Sequence, residues 1–177
     1  MRIRVTFRAM AAEHEILVDH AAEDAARNAI AAAIADVRRI EAKFSRYRDD
    51  SMTSAIARAA GGAPVAIDDE TAALLAYADT CYALSGGAFD ITSGVLRRAW
   101  DFRALPPRVP SQARIDALLR LIGWESIERG AGWVRLPRAG MELDFGGIGK
   151  EYAADRAASL LAAHGLRVEV VDAQLGH

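Results

Sequence analysis

Asp144-Phe145-Gly146-Gly147-Ile148-Gly149-Lys150 joins two segments of different periodicity. Before it, Met141 to Phe145 reads as a short strand. After it, residues from about Lys150 to His164 read as a helix stopped by Gly165, and Val168 to Val171 reads as the next strand. A strand end, three glycines, a lysine and a helix start form one unit. The glycines let a backbone approach a ligand, and a helix N-terminus beside a lysine suits a phosphate. The stretch is therefore a candidate diphosphate or carboxylate site, or else a tight strand-to-helix turn. Two common phosphate motifs are excluded. A Walker loop needs glycine where Asp144 stands and serine or threonine where Glu151 stands, and a GxGxxG turn beginning at Gly147 needs glycine where Tyr152 stands.

Upstream of this stretch, Ile127 to Arg129 and Trp133 to Leu136, joined by Gly130-Ala131-Gly132, read as a hairpin. Ser111 is a fitting N-cap for a helix carrying Ile115, Leu118, Leu119 and Ile122, with Gly123 as its stop. The loop holding Pro106, Pro107 and Pro110 connects it to a short Val95 to Trp100 segment. Asp68 or Asp69 caps a helix in which Leu74, Ala78 and Cys81 share a face and which ends at Gly86-Gly87. Ser45 to Gly62 reads as irregular structure or a short helix. Ile30, Ile34, Val37, Ile40 and Phe44 recur at helical spacing, which predicts an amphipathic helix over 22–44. Ile3, Val5 and Phe7 alternate with polar residues and precede a second apolar stretch, Glu15 to Val18, so the chain opens on a hairpin. The order of elements predicts an α+β fold in which helices cover a mixed or antiparallel sheet.

The 177 residues suffice for one domain with its own core. With 22 basic and 24 acidic residues the net charge is −2, which excludes a broad field for nucleic acid or an anionic membrane. Any anion must meet a local site. The single Cys81 rules out an internal disulfide and is expected to be buried. No apolar run is long enough to span a membrane, and the first ten residues alternate like a strand rather than a signal peptide. The expectation is a cytoplasmic protein as numbered from Met1, or a periplasmic one if a leader was removed.

Gly86-Gly87-Ala88-Phe89-Asp90-Ile91-Thr92 sets an aromatic and a carboxylate side by side in a loop of small residues. It can contact a ring edge or ribose, or it can be a helix C-cap leading into a strand. Tyr47 can stack on a planar ligand or anchor a surface loop. His14, His20, His164 and His177 show no metal-ligand spacing and read as surface histidines. Ser51, Ser54 and Ser93 lack the context of a hydrolase nucleophile.

Taken with Phe7-Arg8-Ala9-Met10, Phe44-Ser45-Arg46-Tyr47, Asp50-Ser51 and the run Asp144 to Asp155, these stretches resemble the ApbE family, the FAD:protein FMN transferases. The resemblance runs to about Val171. It implies a T-fold-related α+β domain, residues 1–177, incomplete at its C-terminus. It implies that Met10, Tyr47, Ala88, Phe89, Asp90, Asp144 and Lys150 line an FAD site, and that Gly147 offers its backbone carbonyl to Mg²⁺. FAD is then a substrate, and a threonine or serine hydroxyl of an acceptor flavoprotein attacks the FMN phosphorus while AMP departs. Ala11 and Ala12 stand where the family usually carries a glycine and a small hydroxyl residue. Asp172 stands near an expected asparagine, and the section bearing the remaining metal ligands does not follow Ala173 to His177. The alternative expectation is a flavin-binding or scaffold module without transferase activity. Self-association through an unpaired sheet edge is a further expectation.

Overall fold

The computed structural model describes residues 1–19, 22–100, 106 and 109–173. In chain order the elements are β1 (Arg2–Ala9), β2 (Ala12–Asp19), α1 (Glu23–Phe44), α2 (Met52–Arg58), β3 (Val65–Ala66), α3 (Asp69–Leu84), a 3₁₀ helix (Ile91–Arg98) and α4 (Gln112–Leu119). A 3₁₀ turn (Trp124–Ser126), β4 (Glu128–Gly130), β5 (Trp133–Arg135), a second 3₁₀ turn (Phe145–Gly147), α5 (Gly149–Ala163) and β6 (Arg167–Ala173) follow. The fold is α+β and every strand pairing is antiparallel, in two three-stranded sheets ordered β1-β2-β6 and β3-β5-β4. The chain divides into two compact units, residues 1–44 with 146–177 and residues 45–145.

In the first unit β1 and β2 form the expected hairpin, with Ala9 opposite Ala12 and a two-residue turn at Met10 and Ala11. Both turn residues have positive φ, 50° and 59°, the backbone of a type I′ turn, which usually selects asparagine or glycine. The Met10 N–H donates to Glu41 Oε1 of α1 at 2.6 Å, which ties the turn to the helix. α1 carries Glu23 and Asp24 in its first turn and Lys43 in its last, matching its dipole. Its buried stripe, Ala26, Ala29, Ile30, Ala33, Val37, Ile40 and Phe44, follows helical spacing, and its small residues allow close packing with α5, which buries Ala153, Ala157 and Leu161.

One expectation for this unit is overturned. His14 is buried rather than on the surface. It lies opposite Phe7 in the ladder, on the inward face, where its ring stacks on Phe7 at 5.2 Å and Nε2 meets the Ala9 carbonyl at 2.9 Å. His164 is exposed as expected, whereas His20 and His177 lie outside the described residues. The last strand, expected over Val168 to Val171, extends over Arg167–Ala173 and pairs with β2, with a register shift at Leu17/Val18.

In the second unit Ser51 caps α2, Asp68 caps α3 and Ser111 caps α4, each side chain accepting an N–H from the first turn. The Gly130–Gly132 hairpin forms, and β3, which was not expected, joins β5 through Val65 opposite Val134. Leu74 and Ala78 of α3 are buried, but Cys81 is only half-buried near the helix end, not buried as expected. The proline-rich loop lies partly outside the described residues. The strand expected over Met141 to Phe145 does not form. Met141, Glu142 and Leu143 are buried consecutively instead of alternating, and the Asp144 N–H bonds to the Ile91 carbonyl at 2.8 Å instead of entering a strand pairing. Its residues alternate apolar and acidic as a strand's do, but Glu142 is buried along with Met141 and Leu143, so the alternation does not mark a sheet face.

Candidate functional site

The expected site residues divide between the units. Met10, Gly147 and Lys150 belong to the first, and Tyr47, Ala88, Phe89, Asp90 and Asp144 to the second.

In the second unit α3 ends on Ser85, and Gly86 and Gly87 reverse the chain at φ 62° and 84°. The Ser85 hydroxyl donates to the Tyr82 carbonyl at 3.0 Å and accepts from the Phe89 N–H at 2.9 Å, while the Ala88 N–H meets the Ser85 carbonyl. Asp90 then caps the 3₁₀ helix. Its Oδ1 accepts from Thr92 N–H at 2.7 Å and from the Thr92 hydroxyl at 2.6 Å, and its Oδ2 accepts from Trp124 N–H at 3.2 Å. The Thr92 hydroxyl oxygen accepts from Gly123 N–H at 2.9 Å. The glycine pair therefore ends a helix, and the chain leads into a 3₁₀ helix rather than a strand. Nearby, partial burial first, and the Glu125 and Asp90 carboxylates next, push the Tyr82 hydroxyl above its ordinary pKa.

Asp144 is linked to this loop through the bond from its N–H to Ile91, and its Cβ lies so close to Gly94 that a Cβ on Gly94 would sit 2.5 Å from it. The Asp144 carboxylate is ion-paired with Arg46. Arg46 also donates to the Tyr47 hydroxyl at 2.8 Å and lies 5.0 Å from the centre of that ring, which is 78% exposed. Asp90, Asp144 and Tyr47 are thus joined by one chain of contacts through Thr92, Ile91 and Arg46. Beside them Arg48 pairs with Asp50 on the surface and holds that carboxyl below its ordinary pKa. Arg46, Gly94 and Thr92 were not assigned site roles from the sequence. Arg46 and Thr92 lay within the stretches singled out, but the long-range pairing of Arg46 with Asp144 has no local signal.

In the first unit Gly146 and Gly147 are exposed, and α5 begins with Ile148 as N-cap and no side-chain cap bond. The half-buried Lys150 and exposed Glu151 lie in its first turn. A helix start without a side-chain acceptor, with a lysine in that turn, can receive an anion. Met10, at the other predicted position, sits half-buried in the left-handed turn. The donor set does not by itself fit a divalent ion. Among the described residues no three of His, Cys, Asp and Glu are grouped to hold a metal, so Gly147 would bring a single carbonyl where an octahedral ion needs carboxylate support. No helix among the described residues is long and apolar enough to cross a membrane.

A sequence model of the ApbE family matches residues 1–174. The FAD:protein FMN transferase of Treponema pallidum is 34% identical over 139 residues, 75% of this chain and 38% of that protein. Its namesake from Klebsiella pneumoniae is 31% identical over 127 residues, 71% of this chain and 40% of that protein. The crystal structure of the ApbE protein from Thermotoga maritima matches with a TM-score of 0.84 and 27% identity, over 95% of this chain and 57% of that one. The flavin transferase ApbE from Vibrio cholerae shares the fold at a TM-score of 0.83 and 22% identity, over 98% of this chain and 59% of that one. The matched stretch spans 38% and 40% of these two curated relatives. With the family pattern matched over residues 1–174, the chain belongs to the ApbE family.

Proposed function

We propose that this chain supplies FAD-binding residues of a flavin transferase that moves FMN from FAD to a threonine or serine hydroxyl of an acceptor flavoprotein. The observation that carries the reading is the family match over 1–174, which includes every residue assigned to the flavin. In this reading the acceptor oxygen forms a bond to the FMN phosphorus, the bond from that phosphorus to the bridging oxygen breaks, AMP leaves with the bridging oxygen and the bonding electrons, and the hydroxyl proton passes to the departing AMP phosphate or to solvent. Lys150 and the α5 N-terminus offset diphosphate charge. The Ala88 and Phe89 N–H groups are spent within the loop, so in this reading their carbonyls are the main-chain groups left for a ligand. Asp90 acts chiefly by holding the loop, since both its oxygens already accept hydrogen bonds. Tyr47 offers an exposed ring to a flavin or adenine.

Magnesium on the diphosphate belongs to the proposal as the family resemblance implies it. The donors among the described residues do not complete its shell. That same observation favours the second reading, a flavin-binding module that transfers nothing by itself. Incubating the protein with FAD, Mg²⁺ and a threonine-bearing acceptor, then viewing covalent flavin fluorescence on a denaturing gel, separates them. A fluorescent acceptor band supports transfer, and saturable FAD binding without a band supports the module. Self-association is proposed through β6, which is an outer strand among the described residues, and sedimentation tests it.

A further inference from the structure

Glu142 is a charged side chain enclosed by the protein, 7% exposed, in the segment that forms no strand. Its Oε2 accepts from Arg98 Nη2 at 2.6 Å and from Arg97 Nη2 at 3.2 Å, while its Oε1 is buried with no partner among the described residues. Burying a carboxylate is costly unless it is paired, and a cluster of this kind does not gain much stability over an apolar one. Its location suggests another role. Two residues further on, Asp144 meets the same 3₁₀ helix from which both arginines project, through its N–H on Ile91 and its close approach to Gly94. The helix therefore grips 142–144 at both ends, by main-chain bond and glycine contact at Asp144 and by a two-arginine fork at Glu142.

We propose that Glu142, held by Arg97 and Arg98, is a positioning residue for Asp144 in flavin binding. The proposal rests on the reading that Asp144 belongs to the FAD site. Without sheet bonds the 141–144 segment lacks the usual means of setting a side chain's register and direction, and the fork supplies it. A displacement of Asp144 would also disturb its pair with Arg46 and, through Arg46, Tyr47.

A double-mutant cycle on FAD affinity tests this, read by flavin fluorescence titration of wild type, Glu142→Gln, Asp144→Asn and the double variant, with urea midpoints recorded separately. Each single change is expected to weaken FAD binding by about tenfold, and Glu142→Gln should add less than about twofold in the Asp144→Asn background. Arg98→Gln, which removes the nearer arm of the fork while leaving Arg97, should show the same coupling and serves if Glu142→Gln does not fold. Additive losses, or unchanged affinity in Glu142→Gln and Arg98→Gln while Asp144→Asn binds poorly, overturn the positioning role and leave the FAD site standing. Unchanged affinity in Asp144→Asn overturns the site reading itself, and this proposal with it. A stability loss common to both backgrounds with no coupling in affinity marks Glu142 as structural only and also overturns it.

Discussion

Replacing Asp90 by alanine removes three hydrogen bonds at one point, two at Oδ1 from Thr92 and one at Oδ2 from the Trp124 N–H. Loss of a helix cap costs about 1 kcal/mol. Trp124 is buried, so its N–H loses an acceptor where water cannot readily replace it, at a further cost of about 1–3 kcal/mol. The Thr92 hydroxyl can rotate to another acceptor, so its bond adds little. Asp90→Ala should therefore destabilise the protein by roughly 2–4 kcal/mol. Asp90→Asn keeps an acceptor for Thr92 but sets an amide donor against the Trp124 N–H, or the reverse if the amide flips, and should cost about 1–2 kcal/mol. Urea unfolding followed by tryptophan fluorescence measures both, with FAD affinity titrated separately in the absence of urea. Midpoints within about 0.5 kcal/mol of wild type for both variants would refute the capping role. If Asp90→Ala then also abolished FAD binding, the carboxylate would be a direct ligand contact rather than the holder of the loop.

Ala11→Gly relieves a left-handed alanine at φ 59°, worth about 1–2 kcal/mol, against the larger unfolded-state entropy of glycine, and should raise stability by about 0.5–1 kcal/mol in the same unfolding assay. Leu143→Ala removes a side chain that is 1% exposed and should cost about 2–4 kcal/mol although no strand is lost, again measured by urea midpoint. Asp79 accepts from the Trp124 indole at 2.6 Å and from Arg129 at 2.8 Å, and these bonds, the indole first, hold its carboxyl below the ordinary range. A depressed folded-state pKa gives stability that is present above the unfolded-state value and is lost as pH falls through the folded one, so the effect fades below about pH 4. Because the side chain is half exposed, the difference between wild type and Asp79→Asn should stay under about 1 kcal/mol near neutral pH and shrink in acid, as a pH series of unfolding curves will show.

Much of the fold was readable in the sequence because its helices and hairpins depend on local patterns. The stripe from Ile30 to Phe44 and the caps Asp68 and Ser111 each fall within a few residues of the contacts they make, whereas the cap Ser51 of α2 was not read. The exceptions depend on what lies opposite in space. Met141 to Leu143 has the composition of a strand, but only the packing on both sides shows that it has no ladder. His14 looks like a surface residue until its register opposite Phe7 turns it inward. The two-residue strand at Val65 is too short to carry a periodic signal and exists because β5 offers it partners. At the site, the glycine-bearing loops were legible as motifs. Their internal roles were not, since Asp90 bonds to Trp124 and Asp144 to Arg46 across long stretches of chain.

FAD binding that involves the Ala88 to Asp90 loop, Asp144 and Lys150 is the proposal on which the functional reading stands. Titrating FAD with the wild-type protein and with Lys150→Ala, by flavin fluorescence at fixed ionic strength, tests it most directly, because Lys150 is half-buried at the helix start and has no capping or core role among the described contacts. Wild type is expected to bind saturably, one to one, and Lys150→Ala to lose about tenfold or more in affinity, as removal of a charge from a diphosphate contact would cause. Absence of saturable binding in wild type, or equal affinity in the two proteins with intact folding, would contradict it.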